Sequence, residues 1–482
     1  MKYSVAVPGD GKMVFVESKG LFFIADFPSV QVDKDFSQTL VQIPPSPDCE
    51  VCVIVPVRNE AQTLAATLTA LIHQVDLEGQ LLDPRRYEII LLANNCSDDS
   101  AAIARSLAEQ NPQIALHVVE KSLSDAEAYI GRVRQILMDE AYRRLCSLGR
   151  TRGVIASTDG DSQVSPTWIA ANLYEINCGA DAVGGRIVVE RTGLDDLDPY
   201  ARACHLREVG YRYLITELET YLDPDPYDNF PRHYQHYGAS LAVTAEMYAL
   251  AGGLPPVRTP EDVAFYRALV RVNARFRHSP LVRVVTSARQ IGRTNVGLAN
   301  QLSEWIEMGR QQQPFVVEPA AAIETRFVAR RQLRVMWWHV LNGYQSDYPR
   351  VASLAEMLGI SAQWLVQKLT QPYTFGQLFE EVEERQQSEG TWASRWKLVE
   401  IQQAIGDLRL RLESLRLSWS KLQGNNLTPN DLEPDKEQYS VGSLRNTENT
   451  VSWLTIVVNP SGVVRRTIKL PVVDGRLPGD AK

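Results

Sequence analysis

Two aspartates separated by one glycine, Asp159-Gly160-Asp161, follow directly on the short apolar run Val154-Ile155-Ala156. Alternate residues of an extended chain project to one side, so both carboxylates can face one point, and the glycine leaves room for close approach. Paired hard oxygens suit Mg²⁺ or Mn²⁺, ions that usually reach a protein through one or two carboxylates and the phosphates of a substrate. The competing structural reading is a polar turn leading into a helix, because Ser165-Pro166 makes a good N-cap and first helical residue. Position favours the metal: in an open α/β sheet, ligands collect beyond the carboxyl ends of the strands.

The elements that must place this motif are legible upstream. Val51 to Val57 is a continuous run rich in valine and isoleucine, as a fully buried parallel strand should be, and Leu64, Leu68, Leu71 and Ile72 follow at helical spacing. The pattern repeats: a strand over 87–93, a helix through Ala102, Leu107 and Ala108, a strand over 114–119, a long helix over roughly 126–148, then a strand over 154–157. Strands alternating with helices predict an α/β fold with a mostly parallel sheet and helices on both faces. No Gly-x-Gly-x-x-Gly follows the first strand and no phosphate-cradling Gly-x-x-x-x-Gly-Lys-Ser/Thr occurs anywhere, so phosphates must be held another way.

Composition sets outer bounds. The 482 residues are 44% apolar and 22% charged, enough for a large core and more than one domain. A net charge of −8 argues against a general nucleic-acid binder. Cys49 and Cys52 are spaced as in a redox or zinc motif, but no second Cys or His pair matches them, and Cys52 falls inside a strand pattern. No signal peptide is visible, and no apolar stretch approaches the ~20 residues that span a bilayer. A soluble cytoplasmic protein is the expectation, without a transmembrane segment.

Val55-Pro56-Val57-Arg58-Asn59-Glu60, Asn94-Asn95-Cys96-Ser97-Asp98 and Asp159-Gly160-Asp161 together resemble the family 2 glycosyltransferases of the GT-A fold, over roughly 49–293. The resemblance implies that Pro56, Arg58 and Glu60 line a base and ribose, with Asn94 in place of the usual acidic residue. It implies that Asp159 and Asp161 hold Mg²⁺ or Mn²⁺, that Arg134 in Gly131-Arg132-Val133-Arg134 approaches a diphosphate, and that Gly185 and Arg186 contact the nucleotide sugar. Ala251-Gly252-Gly253-Leu254-Pro255 and Glu261-Asp262 match further segments of these enzymes. An acceptor hydroxyl is a poor nucleophile, so a carboxylate must take its proton. By the resemblance Asp262 is that base in an inverting enzyme, with Glu261 in support. By themselves the two acids would equally complement a helix dipole.

The implied function is metal-assisted transfer of a sugar from a nucleoside-diphosphate donor, UDP-type by preference, to a hydroxyl of a small-molecule, lipid-linked or glycan acceptor. The alternatives are a non-catalytic nucleotide-sugar-binding or assembly protein, or a nucleotidyltransferase. Domains are expected at 1–48 (a β extension and linker), 49–310 (the transferase), 311–423 (helical) and 424–482 (a polar linker, then a hairpin turning at Asn459-Pro460-Ser461-Gly462). Residues 193–235, rich in Tyr, Asp and Pro, are expected to form a long irregular insertion on the acceptor side. His233 and His236 lack metal-ligand spacing and read as structural. Arg289 and Arg293 are candidate phosphate or acceptor contacts. Arg326, Arg330 and Arg334 lie four apart, as a solvated stripe or an anion or membrane contact. Leu354 to Ser361 hints at a helix-turn-helix but offers only Lys368 as a base beyond it, so packing is the better reading.

Overall fold

The computed structural model describes residues 4–6, 12–16, 22–26, 39–190, 197–287, 297–344, 347–371, 373–423, 452–458 and 466–472. The expected linker over 424–449, the turn at Asn459-Gly462, and Arg289 and Arg293 lie outside them. Strands β1 (Ser4–Ala6), β2 (Lys12–Val16) and β3 (Phe22–Asp26) form a small antiparallel sheet.

The central domain opens with β4 (Val51–Val57), α1 (Leu64–Ile72), β5 (Tyr87–Asn94), α2 (Ser100–Gln110), β6 (Ala115–Lys121), α3 (Ile130–Ser147) and β7 (Val154–Ser157). It continues with β8 (Ser162–Val164), α4 (Trp168–Asn177), β9 (Ala182–Val189), α5 (Pro199–Leu222), β10 (Leu241–Thr244), α6 (Ala245–Leu250), α7 (Glu261–Arg271) and β11 (Phe276–Thr286). The eight-stranded sheet runs β6-β5-β4-β7-β10-β9-β11-β8. The first four strands are parallel, β10 enters antiparallel between β7 and β9, β9 and β11 are parallel, and β8 closes the edge antiparallel. The mostly parallel expectation therefore holds, with two antiparallel strands, β8 and β10, that the sequence reading did not contain.

Alternation along β4 builds both layers. Val51, Val53, Val55 and Val57 face Leu64, Leu68 and Leu71 of α1 and Trp168 of α4. Cys52 and Ile54 face Leu137, Met138 and Ala141 of α3 and Phe265 of α7. Every residue of β4 and β5 is buried, the burden of strands covered on both faces.

The expected irregular insertion is instead largely helical. Asp198 caps α5 by accepting from the amides of Tyr200 (2.9 Å) and Ala201 (3.1 Å), and Pro199 takes the first turn, where its missing N–H costs nothing. Ala201, Cys204, Tyr211 and Leu218 then bury one stripe. Composition suggested a loop, but helical period decided. Among the described residues of that insertion, 223–235 form no long element.

Beyond β11 come α8 (Leu298–Arg310), β12 (Val316–Val317), α9 (Ala320–Leu341), α10 (Tyr348–Leu358), α11 (Ala362–Leu369), α12 (Phe375–Glu389), α13 (Thr391–Arg395), β13 (Val399–Glu400) and α14 (Ile401–Gln423). Leu333, Leu354, Leu358, Leu365 and Val382 share one core, so the stretch 354–361 is a packing element. Tyr211 and Leu218 of α5 pack with Phe327, Leu408 and Leu412, which seats the helical region on α5. Arg326, Arg330 and Arg334 form neither a solvated stripe nor an anion site. Arg326 pairs with Glu318 (2.6 Å), Arg330 joins Glu219 and Asp223, and Arg334 meets Asp223 (2.8 Å). Finally β14 (Ser452–Val458) and β15 (Arg466–Val472) pair antiparallel. Among the described residues no helix is long and apolar enough to cross a membrane.

Candidate active site

The Asp-Gly-Asp motif leaves the carboxyl end of β7, in the crevice where an open sheet binds ligands. Gly160 sits so close that an added Cβ would lie 3.1 Å from Glu60 Cγ and 3.2 Å from Val57 Cγ2. Its carbonyl accepts from Thr63 (3.3 Å) and Thr67 (3.1 Å), which clamp the motif onto the start of α1. Asp161 Oδ2 accepts from Ser287 Oγ at 3.1 Å, just past β11.

The loops after β4 and β5 form one wall. Asn59 adopts φ 57°, a left-handed conformation that Asn tolerates, and its Oδ1 accepts from the Ser97 amide at 2.7 Å. The Glu60 amide donates to Ser100 Oγ (2.8 Å), and the Ala61 amide to Asp98 Oδ2 (3.0 Å). Asn94, at the end of β5, is buried with its Oδ1 unpartnered, a costly state that a ligand N–H would relieve. Pro56 is buried within β4, level with Leu92, while Arg58 is exposed and donates to the Ala128 carbonyl (3.2 Å).

Arg134 occupies the centre. An added Cβ on Gly131 would lie 2.0 Å from the Val257 carbonyl, so α3 begins pressed against the 257–261 segment and Arg134 falls beside Glu261. Its side chain is only 3% exposed, donating to Glu261 Oε1 (3.1 Å), Asp159 Oδ1 (2.9 Å), the Gly238 carbonyl (2.8 Å) and Ser157 Oγ. Burial alone would weaken its charge, but Asp159, Glu261 and Asp262 outweigh that and hold it more firmly protonated than free arginine. The Glu261 carboxyl moves up, chiefly because it is buried, against the pull of Arg134. Asp262 Oδ2 accepts from the Gly238 amide (2.9 Å) and Oδ1 from its neighbour Val263 (2.8 Å).

The 233–240 segment lies across β9. Gly184 and Gly185 have no space for side chains: a Cβ on either would meet Gln235 O at 2.5 Å or Ser240 Oγ at 2.1 Å. Gln235 acts as a substitute strand, its amide bonding both the N–H (2.8 Å) and C=O (3.0 Å) of Ile187. His233 accepts from the Gln235 amide (3.0 Å) and contacts the Ser279 carbonyl (3.1 Å), and burial lowers its pKa well below the usual value. His236 stacks on Tyr266 at 3.8 Å, and burial pushes it down to about 3. Both are structural groups. Arg186 stands further along β9, 5.8 Å above the Tyr213 ring.

Folding thus gathers Glu60, Arg134, Asp159, Asp161, Gly185, Glu261 and Asp262 around one crevice, with Arg58 and Arg186 on its flanks. Sequence reasoning missed Ser157 and Ser287, which lie in no spacing pattern with their partners. Asp159, Glu261 and Asp262 place three carboxylates against one guanidinium, and Asp159 and Asp161, one glycine apart, offer the hard oxygens that suit a divalent cation. The two cysteines differ. Cys49, Cys52 and Glu88 offer ligand atoms within 4.8 Å of one another, yet Glu88 is taken by Arg144 (2.7 Å), His117 (3.1 Å) and the Cys52 thiol (3.0 Å), which completes the cluster.

Residues 52–230 match the family described as glycosyl transferase family 2. No curated protein matches the chain. Solved structures resembling it include a mannosyltransferase from Pyrobaculum calidifontis in complex with GDP-Man and Mn²⁺, at 15% identity and TM-score 0.35, covering 78% of this chain and 91% of that one. Residues 1–349 of S. aureus TarS in complex with UDP-GlcNAc show 13% identity and TM-score 0.33, covering 64% and 72%. Glucosyl-3-phosphoglycerate synthase from Mycobacterium tuberculosis, with Mn²⁺, UDP-glucose and phosphoglyceric acid, shows 16% identity and TM-score 0.29, covering 56% and 83%.

Proposed function

We propose that this chain, whose residues 52–230 match glycosyl transferase family 2, is a glycosyltransferase that moves a sugar from a nucleoside-diphosphate donor to an acceptor hydroxyl by inversion, with Asp262 as the base. The observation that carries this reading is the placement of Asp262. Its carboxylate is fixed by the Gly238 amide, one peptide away from the guanidinium that holds Asp159. A base and a phosphate-side carboxylate therefore share one frame.

The wall formed by Glu60, Asn94 and Asp98 takes the nucleoside. The unpartnered Asn94 Oδ1 accepts an N–H from the base edge, which suits a uracil imide. Asp159 and Asp161 would hold Mg²⁺ or Mn²⁺, which when bound offsets the charge growing on the departing diphosphate. Asp262 removes the acceptor proton as its oxygen attacks the anomeric carbon. Glu261 and Arg134 position: the guanidinium keeps Asp159 and Glu261 apart from one another in charge while its hydrogen bond to Gly238 aligns the base. Most of its N–H groups are spent on protein partners, which supports positioning over a direct clamp on phosphate.

The test is calorimetric titration of UDP and GDP with Mn²⁺ or EDTA, followed by NMR of the sugar product. Donor binding that needs the ion and is lost in Asp161→Ala, with inverted product, is expected. Equal UDP affinity with and without EDTA removes the metal, and binding without turnover on any acceptor would favour the non-catalytic alternative.

A further inference from the structure

The chemistry of the acceptor is narrowed by two arginines on β9 and β11. β9 and β11 run parallel, and their register places Arg186 beside Arg283. In-register neighbours on adjacent strands project to the same face with Cα atoms about 5 Å apart. Val282 and Val284 are buried, whereas Arg283 and Val285 are exposed, so the pair lies on the open face. Like charges opposed in a sheet repel. Elsewhere the molecule matches its buried guanidiniums with acids, as at Arg144 with Glu88 and Arg232 with Glu219. Among the described residues no carboxylate forms an ion pair with Arg186 or Arg283. Burial raises the pKa of the nearby Tyr213 hydroxyl, and the charges of the two arginines work against that rise.

The location is specific. Three residues beyond Arg283, the Thr286 hydroxyl contacts Ser162 (3.1 Å), and Ser287 donates to Asp161 (3.1 Å). On the other flank Tyr213 meets Tyr234 edge-on at 5.5 Å, in the segment whose Gly238 holds Asp262. β11 thus leads from Arg283 to the contacts with the Asp-Gly-Asp motif, and Tyr213 joins Arg186 to the segment whose Gly238 holds Asp262.

We propose that Arg186 and Arg283 form an oxyanion subsite for the acceptor, which carries a phosphate or carboxylate besides the hydroxyl that receives the sugar. Guanidinium forks match such groups bidentately, and an anion between them relieves the repulsion of the pair. Bound there, the acceptor is anchored on one side of Asp262 while its hydroxyl faces the base. This inference rests on the transferase reading. The same oxyanion chemistry also occurs in the donor's diphosphate, so the experiment must separate the two sources.

Inorganic phosphate is titrated calorimetrically into the full chain, alone and saturated with UDP and Mn²⁺, for the wild type, Arg186→Gln, Arg283→Gln and the double variant. Phosphate should bind with UDP present, each substitution should weaken it about tenfold, and the UDP affinity of Arg283→Gln should stay within about twofold. Unchanged phosphate affinity in the double variant, or no phosphate binding at all, overturns the proposal. So does UDP affinity falling in parallel in Arg283→Gln, since the arginines would then serve the diphosphate. Arg283→Lys with an unaltered melting temperature guards against misfolding, and should retain part of the phosphate affinity. A protein that binds neither UDP nor GDP defeats the transferase reading, while its phosphate titration still reads the arginine pair.

Discussion

The amide of Gly238 donates to Asp262 Oδ2 at 2.9 Å, and the carbonyl of the same glycine accepts from Arg134 at 2.8 Å. One residue thus links the proposed base to the guanidinium that holds Asp159 and Glu261. It must be glycine, because a Cβ would stand 2.5 Å from the guanidinium carbon.

Gly238→Ala should therefore displace Arg134 and misalign Asp262. A misplacement of about 1 Å costs on the order of 10²-fold in rate. Turnover should fall by that order while UMP binding, which depends on the nucleoside wall alone, changes little. Steady-state kinetics beside calorimetry would show it, and an alanine variant with full kcat would dissolve the proposed link.

Asp262→Asn removes the proton acceptor with little change of size. A general base contributes about 10²–10⁴ in rate, so kcat should collapse by that factor with the donor dissociation constant within about twofold. Asparagine can accept from only one of the two amides that Asp262 now accepts from, so a small loss of melting temperature is also expected. Turnover surviving in the folded variant would transfer the role to Glu261 or point to a retaining mechanism.

Two buried acids set opposite pH slopes. Burial pushes the Glu88 carboxyl up, but hydrogen bonds from Arg144 and His117 prevail and bring it to about 2. Its unfolded form binds protons first, so its stabilisation is present above about pH 4.5 and is lost as pH falls toward about 2, on the order of 3 kcal/mol. Glu261 is raised instead, so its contribution is most favourable below its unfolded pKa and declines as pH rises through the folded value. Urea unfolding from pH 2 to 7 should show Glu88→Gln flattening the acid limb, although less stable throughout because Arg144 loses its partner. An unchanged acid limb would exclude this carboxylate as the source.

Arg330 joins α9 to α5 through Glu219 and Asp223, of which Asp223 is fully buried. Removing one member of such a cluster leaves uncompensated charge, at about 3–5 kcal/mol. Arg330→Met should lower the midpoint of unfolding accordingly and expose 311–423 to limited proteolysis. Wild-type midpoints and cleavage patterns would show that apolar packing alone seats the helical region.

The sequence by itself determined what local period and local motif can encode. The valine-rich run of β4, the helical spacing of Leu64, Leu68 and Leu71, and Asp159-Gly160-Asp161 at the end of a strand are short-range signals, and each stands in the fold as expected. Where composition was weighed above period, at Pro199–Leu222, a helix was taken for a loop. Tertiary structure alone decided the rest, because side-chain partners across a sheet depend on strand order and register, which no short window contains. The insertion of β10 between β7 and β9 carries Gly238 to Ser157, 81 residues distant, and puts Arg134 within reach of both. The parallel register of β9 with β11 sets Arg186 beside Arg283, and the docking of α9 on α5 turns an apparent surface stripe of arginines into ion pairs. In each case the residue type was visible beforehand, but its electrostatic partner was chosen only when the chain closed on itself.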